Sequence, residues 1–377
     1  MPTLASGQGE LKRCPQLLKQ NKCANVFIVT DKTLSQLGIT KQLTDYLDSE
    51  QLSYHVFDEV MPDPTIVLIE KGVTKYKQHQ CDSVIALGGG SVMDCAKAIA
   101  ACVVKNKNIT QLSGLFRVRK KLPSFIAIPT TAGTGSEATL VAVVTDPIKK
   151  QKFTVIDPCL VPQFAIIDPL LMVGLPAKIT AETGIDALTH AVESYIGLHA
   201  TKQSKTYSID AIKRIFQYLP LAYKNGDDLT ARTEMSLASY FAGIAFTRTS
   251  IGYVHAIAHQ LGGYYHIPHG LANAVLLPHI LDFSYDNAYK KYAEIAYQVG
   301  LVAADESEIV AANRFVGTIK ALNITLNIQQ SFPELKSVDI PILAKRAISE
   351  AFCDYPVPKL MPVKTCENLL SELLICR

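Results

Sequence analysis

At 377 residues the chain is long for one ordinary domain and fits two or three. A hydrophobic share of 48% and a charged share of 19% describe a core-rich globular protein and exclude a disordered or coiled-coil chain. With 37 Lys and Arg against 34 Asp and Glu, the net charge of +3 gives no electrostatic reason to expect nucleic acid or an anionic membrane as partner.

No apolar run reaches membrane-spanning length, and the first residues, MPTLASGQGELKRC, lack the apolar stretch of a secretory signal. Nine cysteines (Cys14, Cys23, Cys81, Cys95, Cys102, Cys159, Cys353, Cys366 and Cys376) are scattered without a CxxC pair. This usage reads as reduced thiols of a cytoplasmic protein.

The first half alternates short β-branched runs with helical spacing. Strand-like runs fall at 25–30 (NVFIVT), 53–57, 83–87 (SVIAL) and 124–128 (SFIAI), with helical stretches at 32–48, 65–79 and 93–104. That alternation predicts a Rossmann-like α/β domain with a mostly parallel sheet covered on both faces. Beyond Asp168, Pro169, Gly174 and Pro176 punctuate the chain, and from 180 onward the pattern is helical. A boundary at about residue 175 follows, dividing an α/β domain, 1–175, from an all-helical domain, 176–377.

Three glycines, Gly88, Gly89 and Gly90, follow the strand SVIAL, with Ser91 behind them as a possible helix cap. Such a turn leaves no Cβ in the way of a ligand, and free N–H groups at a helix start favour phosphate. It is equally a plain turn, because the spacing is not GxGxxG. A second loop, 129–137, follows SFIAI and is dense in hydroxyls, among them Thr130, Thr131 and Thr134. Open parallel sheets bind ligands at the carboxyl edge of their strands, and two such loops raise the expectation of a nucleotide site. The bland alternative for the second is a loop with a helix cap at Ser136 or Thr134. Asp31 ends the run VTD. Its carboxylate suits a ribose and would repel a 2′-phosphate, which favours NAD over NADP, or it caps the helix that follows.

Histidine is the most informative residue. Five of nine (His255, His259, His266, His269, His279) fall within 25 residues. Asp186 and His190 are four apart in a helical stretch, as are His255 and His259, so each pair shares a helix face. Pro268 breaks the chain just before His269. Asp186, His190, His255 and His269 thus form a divalent-metal constellation, one carboxylate with several imidazoles, suited to iron or zinc more than to calcium or magnesium. His55, His79, His199, His266 and His279 read as hydrogen-bonded core residues.

Taken together, VTDKTL, GGGSVMDCAKAIA, IPTTAGTGSEAT, ETGIDALTHAVESY and AHQLGGYYHIPHGLANAVLLPH make the chain resemble the iron-containing (group III) alcohol dehydrogenases, of dehydroquinate-synthase-like fold, over nearly its whole length. The resemblance implies a metal on Asp186, His190, His255 and His269, with ferrous iron favoured over zinc by the family. It implies that His259 lies between metal and nicotinamide as a catalytic, non-ligating residue. Gly88, Gly89, Gly90 and Ser91 would bind the pyrophosphate of NAD; Thr130, Thr131, Thr134, Val143 and Lys152 would line the cofactor site; and Asp31 matches a position linked to NAD preference. Phe246 matches a substrate-pocket position. Two departures stand out: Asp63-Pro64 replaces a usual Asn-Pro, and PVPK at 356–359 replaces Asn-Pro-Arg beside the pocket wall at Phe352 and Cys353.

The implied activity is hydride transfer between a small primary alcohol or diol and NAD(H), in a homodimer or higher homo-oligomer. Two rival expectations are a lyase or synthase of the same fold that uses NAD transiently, and a non-catalytic metal-binding assembly subunit. The first would need a Lys- and Arg-rich pocket, whereas DALTHAV and HAIAHQL are mostly apolar; the second has no use for the two loops.

Overall fold

The structure is a computed structural model; it describes residues 1–374, apart from the side chains at 353 and 354. The chain divides into two compact units, Met1–Val173 and Gly174–Arg377.

The first unit runs β1 (Thr3–Ser6), α1 (Cys14–Gln20), β2 (Asn25–Val29), α2 (Lys32–Gln36), α3 (Ile39–Ser49), β3 (Ser53–Phe57), α4 (Ile66–Gln78), β4 (Ser83–Gly88), α5 (Gly90–Lys105), β5 (Gly114–Leu115), β6 (Ser124–Pro129), β7 (Val141–Asp146), β8 (Gln151–Ile156) and β9 (Phe164–Ile167). Six strands form one parallel sheet in the order β1-β9-β6-β4-β2-β3. Residues alternate across it, as a two-residue period requires. Phe27, Val29, Val84, Ala86, Phe125 and Ala127 enter one core cluster, while Val26, Ile28, Ile85, Leu87, Ile126 and Ile128 enter the other. Helices α4 and α5 cover the first face, and α1 and α3 cover the second. Burial on both faces is why these runs carry no polar alternation.

Local chemistry sets the element ends. The expected helix over 32–48 is two helices, because Gly38 takes a left-handed φ of 77° between them. Asp31 and Thr65 cap α2 and α4 through their side chains. A second sheet, β5-β8-β7, was not anticipated; β7 and β8 pair antiparallel across Val143↔Thr154 and Thr145↔Lys152.

The second unit is helical: α6 (Ala177–Ile196), α7 (Lys202–Lys224), α8 (Leu229–Thr249), α9 (Tyr253–Tyr265), α10 (His269–Gln298), α11 (Glu308–Thr325), α12 (Ile340–Asp354) and α13 (Val363–Glu372). Helix α6 packs against α7, α8 and α10, and it is buried almost continuously from Thr180 to Ile196. A helix buried on all sides is normally apolar all round. The polar residues Asp186, His190 and Glu193 on α6 therefore require a specific explanation. Among the described residues, no helix is long and apolar enough to cross a membrane.

Candidate active site

In the first unit, the two polar loops lie side by side at the carboxyl edge of the sheet. Gly88 and Pro129 are register partners at the ends of β4 and β6, and Thr130 N–H donates to Gly88 O at 3.1 Å. The glycines also pack against the threonines. A Cβ at Gly90 would come 2.5 Å from Thr134, and one at Gly89 would come 3.3 Å from Thr131. Helix α5 begins at Gly90 with Gly89 as its N-cap. Ser91 is therefore inside the first turn and is not the cap; its Oγ instead accepts the Asp63 N–H at 3.3 Å. Similarly, the short helical turn at 136–138 is capped by Gly135, with Thr134 Oγ1 accepting from Ser136 N–H at 3.2 Å.

Asp63 also pairs with Lys152, Oδ1 to Nζ at 2.6 Å, so the departure from Asn-Pro places a carboxylate on an otherwise buried lysine. Val143 N–H donates to Asp94 Oδ2 at 3.1 Å. One carboxylate oxygen of Asp31 accepts from Leu34 N–H at 2.9 Å, so the helix-capping role is real and leaves its second oxygen for other use.

Sequence reasoning passed over Lys97. It is fully buried on α5, and its Nζ donates to Ser136 O and Oγ, Thr139 O and Oγ1, and Val141 O, all at 2.6–3.0 Å. Burial pushes its pKa down to about 8, with Asp94 and Glu137 opposing the shift, so it remains an ammonium at neutral pH. It pins the hydroxyl-rich loop to α5. Replacing it by methionine leaves five acceptors without their donor. Lys97→Met is expected to cost on the order of 3 kcal/mol, read as a lower urea midpoint; an unchanged midpoint would refute the pinning role.

In the second unit the chemistry gathers on five helices, α6, α8, α9, α10 and α12. Asp186 and His190 lie one turn apart on α6. His255 and His259 lie one turn apart on α9. The chain leaves α9 through His266, left-handed at φ 58°, and Pro268 caps α10, so that His269 is its first residue. A Cβ at Gly270 would lie 2.5 Å from Glu182 O, so only glycine lets α10 begin this close to α6.

Asp186, His255 and His269 each offer one donor atom, all within 4.8 Å of one another. Asp186 Oδ1 is 3.7 Å from His255 Nε2 and 3.6 Å from His269 Nε2. His190 stands beside this trio, with Nδ1 3.9 Å from Asp186 Oδ1 and its ring stacked on His255 at 4.4 Å. Phe246, on α8, also stacks on the His190 ring, at 4.2 Å and 13°. His259 stacks on His269 with centroids 5.5 Å apart. Of the remaining histidines, His55 and His79 stack on each other at 3.6 Å, while His199 and His266 are exposed rather than core. Phe352 is 75% exposed, and the Cys353 side chain lies outside the described residues.

Three residues complete the site that spacing alone did not single out. Glu193 accepts from His255 Nδ1 at 2.6 Å. Asn273, one turn after His269, donates from Nδ2 to Asp186 Oδ1 at 2.6 Å and lies 3.2 Å from both His255 Nε2 and His269 Nε2. Glu350, from α12, bonds His259 Nδ1 at 2.6 Å and accepts from Gln260 Nε2 and Tyr355 OH.

The electrostatics suit a cation. Asp186 and Glu193 are both buried, and the charged groups they meet are histidines, not lysine or arginine. Burial alone would raise the Asp186 carboxyl, but His190, His269 and His255 outweigh it and hold it far below the usual range. Burial lowers His255, but Glu193 and then Asp186 overcome this and lift it to about 9. A cation arriving there must displace a proton, which makes its affinity rise with pH. One carboxylate and convergent imidazoles in a largely buried, acidic setting fit a divalent ion of the iron or zinc type.

Residues 2–169 match the family described as iron-containing alcohol dehydrogenase, and residues 180–374 match the C-terminal part of the Fe-containing alcohol dehydrogenase family. The chain is 36% identical to the NAD-dependent methanol dehydrogenase of Bacillus methanolicus, over 99% of this chain and 98% of that one. It is 38% identical to the 1,3-propanediol dehydrogenase of Klebsiella pneumoniae, over 93% and 90% respectively. A crystal structure of a 1,3-propanediol oxidoreductase superposes with a TM-score of 0.95 at 34% identity, covering 99% and 98% of the two chains. The chain belongs to the iron-containing alcohol dehydrogenase family, and it is an oxidoreductase of that class.

Proposed function

We propose that the protein is a metal-dependent alcohol dehydrogenase and aldehyde reductase that moves hydride between a small primary alcohol or diol and NAD(H). The observation that carries this reading is the convergence of Asp186, His255 and His269 donor atoms, in a chain of this family, within 4.8 Å of one another. Asp186, His190, His255 and His269 would hold the ion, ferrous iron in preference to zinc. Gly88, Gly89, Gly90, Ser91, Thr130, Thr131, Thr134, Val143 and Lys152 would bind the dinucleotide, and Asp31 would turn a free carboxylate oxygen toward its ribose. The names of the relatives point to short alcohols and diols.

When bound, the cation supplies Lewis acidity that lets an alcohol lose its proton near neutral pH, and the nicotinamide supplies the hydride acceptor. The chain's own residues supply the rest. Phe246, stacked on the ring of His190, sets an apolar side chain beside the donors. Glu350 is held ionised by His259 and Tyr355 despite its burial, so it accepts the Nδ1–H of His259 and leaves Nε2 of that ring as the proton acceptor. The free thiols among the described cysteines suit a reducing compartment. Cytoplasmic location and homo-oligomeric assembly belong to the same proposal.

The test is metal analysis of protein prepared without oxygen, followed by NADH-linked assays with short alcohols, diols and the matching aldehydes, run with NAD and with NADP. Near-stoichiometric iron or zinc with metal-dependent NADH formation supports the reading. Metal-loaded protein that turns over none of these substrates with either cofactor rejects it.

A further inference from the structure

Glu193 has no part in the metal set or in the reaction described above, yet it is among the most constrained side chains of the site. Its Oε2 accepts from His255 Nδ1 at 2.6 Å and from Gly252 N–H at 2.8 Å, while Oε1 accepts from Val254 N–H at 2.8 Å. It is buried together with His255. We propose that Glu193 is a positioning residue for the metal: it selects the Nδ1–H form of His255 and so presents the Nε2 lone pair to the ion.

With Asp186, His255 and His269 read as ligands, bonding rules define what Glu193 does. An imidazole that ligates through one nitrogen carries its proton on the other, and the partner of that second nitrogen fixes both tautomer and ring orientation. A carboxylate can only accept, so at His255 the proton is fixed on Nδ1. The nitrogen left over is Nε2, the one 3.7 Å from Asp186 Oδ1.

The same carboxylate also satisfies N–H groups of the first turn of α9, which have no partner within the helix. It therefore locks the ring to the start of its own helix. Glu193 stands seven residues after Asp186 on α6, two helical turns along the same face. One rigid helix thus carries both a ligand and the group that aims another ligand, which fixes the separation of the two donors.

The close fit at Gly252 is independent support. A Cβ there would lie 2.7 Å from Glu193 Oε1 and 3.0 Å from its Cδ. The backbone at Gly252 has φ −137°, a conformation open to alanine, so glycine is needed for room and not for its backbone freedom.

The test uses metal-stripped full-length protein, titrated with Co2+ against a competing chelator while the visible absorption of the bound ion is recorded. Glu193→Gln keeps the volume and one acceptor but removes the charge. It and Glu193→Ala are expected to weaken Co2+ affinity by about 10–100-fold and to change the absorption of the saturated protein. Gly252→Ala, which pushes the carboxylate aside without altering it, should weaken binding in the same direction. It carries the test if Glu193→Ala fails to fold, with thermal melts of the metal-free proteins as the folding control. A group that only capped α9 would lower the melting temperature and leave the absorption of the saturated protein unchanged.

His269→Ala serves as the reference. Wild-type affinity and absorption in both Glu193 variants, with binding lost in His269→Ala, would overturn the role of Glu193 and leave the ligand assignment standing. Wild-type binding in His269→Ala as well would overturn both.

Discussion

His269→Ala is expected to strip the metal from the protein and to lower kcat by about a thousandfold or more. The size follows from the chemistry the ion is asked to supply. Lewis-acid stabilisation of a developing alkoxide is worth several kcal/mol, and each 1.4 kcal/mol is tenfold in rate. The variant suits the test because of where His269 sits. It is the first residue of α10, and its side chain keeps 28% exposure, so alanine leaves a space that water enters instead of a collapsed core. Asp186 is a poorer target: it is fully buried and is the shared partner of the imidazoles and of Asn273, so its removal disturbs several groups at once. Elemental analysis and steady-state rates on the same preparation settle the point. A variant that keeps stoichiometric metal and runs at the wild-type rate removes His269 from the ligand set.

The parts of this site that a reader of the sequence can find are those written in helical spacing. Asp186 with His190 and His255 with His259 are one-turn pairs, and Pro268 marks the start of the helix that His269 opens. The same period extends further along α6 and α10. Glu193 continues the face of Asp186 and His190 at the seventh residue, and Asn273 lies one turn beyond His269. A carboxylate or an amide on a buried face is a signal, but one that metal-ligand spacing does not carry, because neither residue is placed as a ligand. Glu350 is different in kind. It lies 91 residues from His259, and no local period links them; only the packing of α12 against α9 does.

In the first unit, β2, β4 and β6, buried on both faces, announced themselves as apolar runs, and they and the edge strand β3 were placed to within a residue. The β7–β8 pair is less legible although VAVVTD and QKFTVI are rich in β-branched residues, because both strands are only partly buried and each carries polar residues. Ser91 was misplaced as a cap for a physical reason: close packing of Gly89 and Gly90 against Thr131 and Thr134 lets the helix start two residues earlier than side-chain capping would place it. Lys97 lay inside the legible motif GGGSVMDCAKAIA. A lone lysine in an apolar helical run gives no hint that five acceptors await it.

His259→Ala is expected to lower kcat for alcohol oxidation by about a hundredfold while leaving metal content intact, which separates it from the loss of a ligand. General acid–base groups contribute on this scale. The structural basis is the way His259 is held. Its Nδ1 is 2.6 Å from Glu350 Oε1, and that carboxylate is itself fixed by Gln260 at 2.7 Å and Tyr355 at 2.6 Å. The ring lies near-parallel to that of His269, 18° between planes, and does not share the donor cluster of Asp186, His255 and His269. A residue beside the ligands, oriented by a carboxylate and not competing for the ion, is placed to move a proton rather than to bind metal. Its removal should therefore act on kcat more than on KM. Added imidazole should restore part of the rate, and Glu350→Gln should show a weaker form of the same defect because the ring survives without its anchor. If His259→Ala keeps its metal and matches the wild-type kcat across the accessible pH range, proton transfer takes another route and Glu350 has only a structural role.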